Sequence, residues 1–227
     1  MIKKHYLNGV FQGKVKHYCG MLTAMEKSLV DQDILLFFDG LEGDECADKK
    51  NHGGPDRALH QYPQEHYSYW RKKYDLGVNW QEPGMGENLS STGMTEDNVC
   101  IGDRYRWGEA IIEVSQPRSP CFKLNKQWGV ENFSVHMQEI SRCGWLYRVI
   151  QPGVVNVNLP LELIERVPNA ITVKQACDIY FGSPLEVNGL LKLKAQQRLA
   201  DSWMKKVIQR IETGKVENWN FRLLGHA

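Results

Sequence analysis

One cysteine stands in a setting that prepares it for chemistry, within residues 115–124, SQPRSPCFKL. Cys121 lies between two cations, Arg118 and Lys123, and directly follows Pro120. Proline favours the first turn of a helix, so we expect Cys121 in that turn, where the helix dipole stabilises an anionic sulfur. A thiolate is the form that attacks substrates and binds soft metals. Cys121 is therefore predicted to be a nucleophile or metal ligand, and the alternative is a buried, inert cysteine.

A diglycine turn in residues 50–57, KNHGGPDR, supplies groups that bind anions. Gly53 and Gly54 separate His52 from Asp56 and Arg57. Adjacent glycines allow backbone N–H groups to approach an anion, and an arginine can bind phosphate through two nitrogens. Taken alone, the segment equally fits an ordinary glycine turn that leads into a strand.

Two further glycine-led segments carry polar groups. Residues 84–89, GMGENL, bring the carboxylate of Glu87 next to the amide of Asn88, two groups that can bind a heterocycle. Residues 142–149, RCGWLYRV, place Arg148 on a strand that begins at a glycine. The alternatives are a turn that Asn88 caps and a surface arginine. Together with Cys121, the glycine-rich segments predict a pocket for an anionic heterocyclic cofactor with a soft metal.

Composition narrows the class of protein. The chain has 227 residues and a formal net charge of +1, which suits a globular fold and argues against a nucleic-acid groove. Its six cysteines show no metal-finger spacing, a pattern typical of a reduced compartment. The N-terminal residues 1–6 are not followed by the apolar region of a secretory signal, and no apolar run is long enough to cross a bilayer. We expect a cytoplasmic protein without a membrane or nucleic-acid partner.

Short β-type runs separated by glycine turns dominate the chain up to residue 168, which favours a closed barrel or sandwich. The predicted strands are 34–38, 98–107, 110–114, 145–150 and 161–166. The predicted helices are 63–74 and 120–140, followed after residue 168 by 173–180, 186–197 and 202–213. We therefore expect a mostly β (α+β) domain over 1–168 and a small all-helical domain over 169–227.

The four ordered segments NHGG, GENL, QPRSPCFK and GWLYRV together resemble the MOSC family, named for the C-terminal domain of molybdenum-cofactor sulfurases. The resemblance is strongest to the YiiM-like subgroup, in which a three-helix tail follows the barrel. It implies a closed antiparallel β-barrel with peripheral helices. It also implies that the molybdenum cofactor, a pterin dithiolene with a phosphate, is bound with Cys121 as the protein ligand of the metal.

The same resemblance assigns further residues. The pterin and phosphate site would be formed by His52, Gly53, Gly54, Arg57, Asn88, Arg118, Lys123 and Arg148. Glu87 or Asp56, which neighbour pocket glycines, would relay the proton that leaves with water. The chain has no recognisable iron–sulfur motif, so electrons would come from a flavoprotein or ferredoxin-type partner.

Three functions fit these residues. The first is a molybdenum-dependent reductase that converts N-hydroxylated compounds, such as 6-hydroxylaminopurine, to amines and thereby detoxifies base analogues. The second is a carrier of molybdenum cofactor or of persulfide sulfur on Cys121, without turnover of an organic substrate. The third is a metal-free cysteine hydrolase, for which His136 is the only candidate base nearby in sequence. The helical tail would shield the pocket, dock the reductase or form a homodimer.

Overall fold

A computed structural model describes residues 3–49 and 51–226 and shows a mixed α+β fold. Met1, Ile2, Lys50 and Ala227 lie outside the described residues, including the first position of the predicted 50–57 segment. The strands of the described chain are β1 (Lys4–His5), β2 (Leu7–Gln12), β3 (Lys16–Tyr18), β4 (Met21–Thr23), β5 (Ser28–Leu29), β6 (Ile34–Phe37), β7 (Gly40–Leu41), β8 (Leu59–Pro63), β9 (Leu89–Ser91), β10 (Arg104–Trp107), β11 (Ala110–Pro117), β12 (Trp145–Gln151), β13 (Gly153–Val155) and β14 (Leu161–Glu165). The helices are α1 (Glu65–Lys73), α2 (Lys123–Trp128), α3 (Phe133–Glu139), α4 (Val173–Cys177), α5 (Val187–Lys194), α6 (Asp201–Thr213) and α7 (Asn220–Leu224).

Nine strands of the described chain form one sheet, in the order β1-β14-β10-β11-β12-β8-β9-β2-β5. Its pairs are antiparallel except β8 and β9, which run parallel. The predicted strands 98–107 and 110–114 flank a hairpin turn, because β10 and β11 pair on either side of Gly108, which has a φ of 58°. Most of strand 98–107 was predicted wrongly, since β10 begins only at Arg104 and the preceding residues form a turn.

The closed barrel is not found among the described residues. The order of hydrogen-bonded strands is open, with β1 at one margin and β5 at the other. However, a single residue, Tyr6, separates β1, which pairs with β14, from β2, which pairs with β9. The segment 4–12 therefore runs from one margin of the sheet, at β1, to β2, which lies next to the opposite margin strand β5.

The helices after residue 172 pack onto the sheet. A capping box begins α4, in which Thr172 accepts from the backbone of Gln175 and the Gln175 side chain accepts in return. Ala200 N–H donates to the carbonyl of Ser115 in β11 at 2.8 Å. Buried residues of these helices, such as Trp203, belong to the same hydrophobic cluster as the buried residues of the sheet. A separate all-α domain is therefore not observed, and the boundary at residue 168 stays a prediction.

The predicted helix 120–140 is two helices. The first, α2, ends at Gly129, whose φ of 64° and ψ of 24° are left-handed, and α3 begins four residues later. Because α2 begins at Lys123, Cys121 precedes the helix and does not lie in its first turn, so that expectation was wrong. No helix in the described ranges is both long and apolar enough to cross a membrane.

Candidate functional site

The loop after β11 carries Cys121 and is anchored at both ends. Arg118 N–H donates to the carbonyl of Gly144 at 3.0 Å, which ties the loop to the start of β12. On the other side, Leu124 N–H donates to the carbonyl of Cys121 at 3.0 Å as α2 begins. Cys121 is 5% exposed. The loop thus holds one buried cysteine between the sheet and a helix start.

The surroundings of Cys121 make its thiol acidic. Burial alone raises the pKa of Cys121, but a hydrogen bond to His52, the charge of Arg118 and the backbone N–H of Lys123 bring it down to about 7. A substantial fraction of the sulfur is therefore thiolate near neutral pH. The lowered thiol pKa agrees with the predicted activation of Cys121. Its cause differs from the prediction, because Cys121 lies outside α2 and its sulfur interacts with the helix start only through the N–H of Lys123.

The diglycine turn carries His52 to the thiol. Asp48 holds this turn, because its carbonyl accepts from His52 N–H at 2.8 Å and its carboxylate lies 3.3 Å from His52 Nδ1. Gly54 has a φ of 105°, a backbone conformation that residues other than glycine rarely adopt. The turn leads through a short 3₁₀ turn into β8, as the simpler interpretation expected, and it also places the imidazole beside Cys121.

Arg57 stabilises the turn rather than lying against the cysteine. Its Nη1 donates to the carbonyl of Asn51, and its Nη2 lies 3.4 Å from Ser202 Oγ in α6. Burial lowers the pKa of the Arg57 guanidinium. None of its contacts in the described chain reaches Cys121.

Asp56 and Arg148 bind each other. Arg148 Nε donates to Asp56 Oδ1 at 2.7 Å, and Arg148 Nη1 donates at 2.7 Å to Glu113 Oε1, a carboxylate that is 2% exposed. The two predicted site residues are thus joined in an ion-pair network with β11. No contact described for this network involves Cys121.

Glu87 is enclosed in the core. It is 0% exposed, accepts from Tyr67 Oη at 2.6 Å and from Met85 N–H at 2.9 Å, and burial raises its pKa to about 7. These bonds fix the glycine turn that precedes β9. Among the described residues, neither partner of Glu87 belongs to the cysteine loop, so the structure does not bring this predicted proton relay to the thiol.

Asn88 leads to a cation, Lys27, and an imidazole, His60, that sequence reasoning missed. Its side chain accepts from His60 N–H at 3.1 Å and donates to Asp44 Oδ2 at 2.8 Å. Asp44 in turn binds Lys27, whose side chain is 6% exposed. His60 Nε2 is buried and has no hydrogen-bond partner among the described residues. Burial holds the pKa of His60 well below its ordinary value, with further lowering from the charges of Arg118 and Lys27.

The cations and the thiol therefore share one region of the molecule. Arg118 acts on both Cys121 and His60, and Lys27 acts on His60 as well. No group of three or more His, Cys, Asp or Glu side chains in the described ranges could hold a metal ion. The site thus has one soft ligand, basic groups and an unpartnered imidazole nitrogen, which suits an anion or a metal that brings its own ligands.

His136, the base considered for a hydrolase, is not at this site. Its Nδ1 lies 2.8 Å from Tyr74 Oη and its Nε2 lies 3.2 Å from Tyr69 Oη. The histidine beside Cys121 is His52, about seventy residues earlier in the chain. No local pattern around Cys121 could have revealed this pair, because it depends on the packing of two distant loops.

Replacing His52 by glutamine should raise the pKa of the Cys121 thiol by about one unit, because the imidazole favours the thiolate. The midpoint of the pH dependence of Cys121 alkylation, followed by mass spectrometry of the modified peptide, measures this change. His136→Gln serves as the control and should leave the midpoint in place. An unchanged midpoint in His52→Gln would contradict the role assigned to this imidazole.

Comparisons with known proteins agree with the geometry. A sequence profile of the MOSC domain matches residues 48–162. Protein YiiM of Escherichia coli (strain K12) is 44% identical over 218 residues, which is 95% of this chain and 97% of that protein. The crystal structure of YiiM from Escherichia coli superposes with a TM-score of 0.85 at 39% identity, covering 97% of this chain and 98% of that one.

A second relative is a longer protein. A protein named reductase from Gibberella moniliformis is 38% identical over 152 residues, which is 63% of this chain and 26% of that protein. The profile match spans half of the chain, and the YiiM relatives extend the similarity over nearly all of it. The chain belongs to the MOSC domain family.

Proposed function

We propose that this protein is a molybdenum-cofactor-dependent reductase of N-hydroxylated compounds, which it converts to amines. The observation that carries the proposal is the Cys121 thiol, buried beside His52 and Arg118 with a pKa of about 7. Such a thiol is a ready ligand for a soft metal. Membership of the MOSC family and the relative named reductase support oxidoreductase chemistry.

The residues fit the cofactor. A metal that already carries dithiolene sulfurs needs few protein ligands, and the described site offers one thiolate and no ligand cluster. The negative charge of the pterin phosphate would be balanced by Arg118 and His52, with Lys27 as the next cation. His60 Nε2, buried without a partner, would gain one from the bound group. Arg148 and Asn88 contribute indirectly, since their described contacts are with other protein groups.

When bound, the cofactor would supply the two electrons that reduce the N–OH group to an amine, and the oxygen would leave as water. Cys121 would hold the metal, and Arg118, whose charge acts on the sulfur, would offset negative charge beside it. His52 is 40% exposed and contacts both Asp48 and Cys121, so its imidazole can pass a proton between solvent and the pocket. We assign the proton to His52 in preference to Glu87 or Asp56, whose described partners lie elsewhere.

Electrons would reach the site from a separate flavoprotein or ferredoxin-type protein. The reductase of Gibberella moniliformis extends far beyond the matched region, which is 26% of its length. A longer chain has room for an electron-donating part of its own. The 227 residues of this chain contain no recognisable iron–sulfur motif, and we propose that its electron donor is a second protein.

The test measures molybdenum and pterin in protein purified from a host that makes the cofactor. Wild type should carry both in stoichiometric amount, and Cys121→Ser should lose most of the metal together with at least about 100-fold of the reductase activity toward hydroxylaminopurine with reduced viologen. Cys19→Ser, at an exposed cysteine, is the matched control and should keep both. A Cys121→Ser protein with full metal and activity would refute the proposal.

A second candidate is a carrier of persulfide sulfur, which the same acidic thiol would suit. It predicts protein without molybdenum and without reduction of any N-hydroxylated compound. In that case mass spectrometry of the purified protein should show one additional sulfur on the Cys121 peptide, and the sulfur should be lost on treatment with a thiol reductant.

A further inference from the structure

The backbone on either side of Cys121 is bound by one residue of the C-terminal helix. Arg222 Nη1 donates to the carbonyl of Pro120 at 2.5 Å, and Phe122 N–H donates to the carbonyl of Arg222 at 2.8 Å. The peptide groups that precede and follow the cysteine are thus both held by Arg222. Two hydrogen bonds on opposite sides of a residue restrict the rotations that would move its side chain.

Arg222 is itself anchored to the core. Its Nη2 donates to Gln138 Oε1 at 2.7 Å, and Gln138 lies in α3 and is 6% exposed. The Arg222 guanidinium therefore connects the buried side chain of Gln138 to the carbonyl of Pro120. The position of the guanidinium is thus set by α3 and not by solvent.

The helix that carries Arg222 is fixed in the same way. The carbonyl of Leu223 accepts from Asn125 Nδ2 at 3.0 Å and from Ser134 Oγ at 2.7 Å. Asn125 belongs to α2, which begins two residues after Cys121. Leu223 is 7% exposed. The end of the chain is thus docked on the two helices next to the cysteine.

An imidazole and two guanidinium groups act on Cys121 from three parts of the fold. His52 comes from the diglycine turn, Arg118 from the loop after β11 and Arg222 from α7, and the N–H of Lys123 adds a partial charge from α2. Arg222 is the one of these that lies outside residues 48–162, the part that matches the MOSC profile. The cation nearest the end of the chain thus reaches the cysteine from beyond the matched domain.

We propose that Arg222 is a positioning residue for Cys121. Its guanidinium and its carbonyl hold the backbone of 120–122 so that the sulfur stays against His52 and the N–H of Lys123. The proposal concerns the cysteine on which the proposed function rests, but the contacts serve Cys121 whichever chemistry it performs. A role for the C-terminal segment follows, because it completes the site.

Two full-length variants test this positioning. Arg222→Met keeps a long apolar side chain without donors, and Arg222→Lys restores one donor. In the metal-free protein we expect Arg222→Met to speed hydrogen exchange in the 118–124 peptide by about tenfold, the effect of losing a hydrogen bond made by a charged group. Alkylation of Cys121, measured well above the pKa of the thiol so that every variant is fully thiolate, should accelerate similarly. Arg222→Lys should return both rates most of the way to wild type.

The outcomes separate positioning from simple packing. Equal rates in Arg222→Met and wild type, or equal acceleration in the Met and Lys variants, would overturn the proposal. If Arg222→Met does not fold, Gln138→Met removes the anchor of the guanidinium and should accelerate both rates in the same direction. Phe221→Ala, on the same helix and 66% exposed, is the control and should match wild type. Absence of molybdenum from wild type would refute the proposed function without altering these rates.

Discussion

Gly144→Ala is expected to destabilise the protein by at least about 3 kcal/mol or to prevent folding, because the new methyl group has no space. A Cβ at this position would lie 2.3 Å from the carbonyl oxygen of Gln61 and 3.1 Å from His60 Nε2. The backbone φ is 70°, a further cost of about 1 kcal/mol for alanine. Thermal and urea denaturation measure the loss.

Gly129→Ala is the matched control for the backbone cost. Gly129 has a φ of 64°, and a Cβ there would meet no atom within 4 Å. This variant should therefore lose only about 1 kcal/mol. Equal losses in the two variants would show that the contact with Gln61 is relieved at no cost.

The same substitution should also disturb the site. Gly144 accepts from Arg118 N–H at 3.0 Å and donates its own N–H to Glu96 Oε1 at 2.7 Å. A shift of this residue moves the loop that holds Cys121. In any Gly144→Ala protein that folds, the alkylation rate of Cys121 at neutral pH should differ from wild type, whereas Gly129→Ala should leave it unchanged.

Glu87→Gln should remove a pH dependence of stability and make the protein more stable above neutral pH. Burial raises the pKa of Glu87 from 4.5 to about 7, so the folded state retains a proton that the unfolded chain has lost between these values. Stability from this group is therefore full below about pH 4.5, falls as the pH rises and levels off above about pH 7. Converted at about 1.4 kcal/mol per pH unit, the loss between pH 4.5 and about pH 7 is at most about 3.5 kcal/mol.

Urea denaturation between about pH 5 and pH 8 tests this expectation. The free energy of unfolding of wild type should fall across the range, and that of Glu87→Gln should fall less and end higher. Glu131→Gln, at an exposed carboxyl, is the control and should follow wild type. We expect Glu87→Gln to keep its activity, since Tyr67 and Met85 are the partners described for this carboxyl. A large loss of kcat would instead indicate that Glu87 takes part in catalysis.

Local signals predicted many of the elements. Alternating and apolar runs placed β6, β12 and β14 within one or two residues. The predicted helix start at residue 173 and helix end at residue 213 are also confirmed, by α4 and α6. These features depend on neighbours in sequence, where spacing and capping act. The open order of the sheet and the packing of the helical tail depend on contacts between distant segments and were not predictable in the same way.

The contacts of the charged residues were also not predictable from the sequence. Asp56 and Arg148 were both expected at the cofactor site, and the structure instead joins them to each other and to Glu113. Lys27 and His60 were not selected, since neither stands in a motif. The side chains that such residues contact come from separate strands and loops, so their sequence spacing carries little information.

By itself, the sequence determined the family and selected Cys121 as the candidate reactive cysteine, because motif order and the residues flanking Cys121 are local properties. The tertiary structure alone decided that His52 adjoins the thiol, that Arg222 holds its backbone and that Glu87 is enclosed away from it. The physical reason is that the pKa and position of a side chain depend on burial and on charges nearby in space. Folding brings those groups together from positions about seventy and about a hundred residues from Cys121 in the chain.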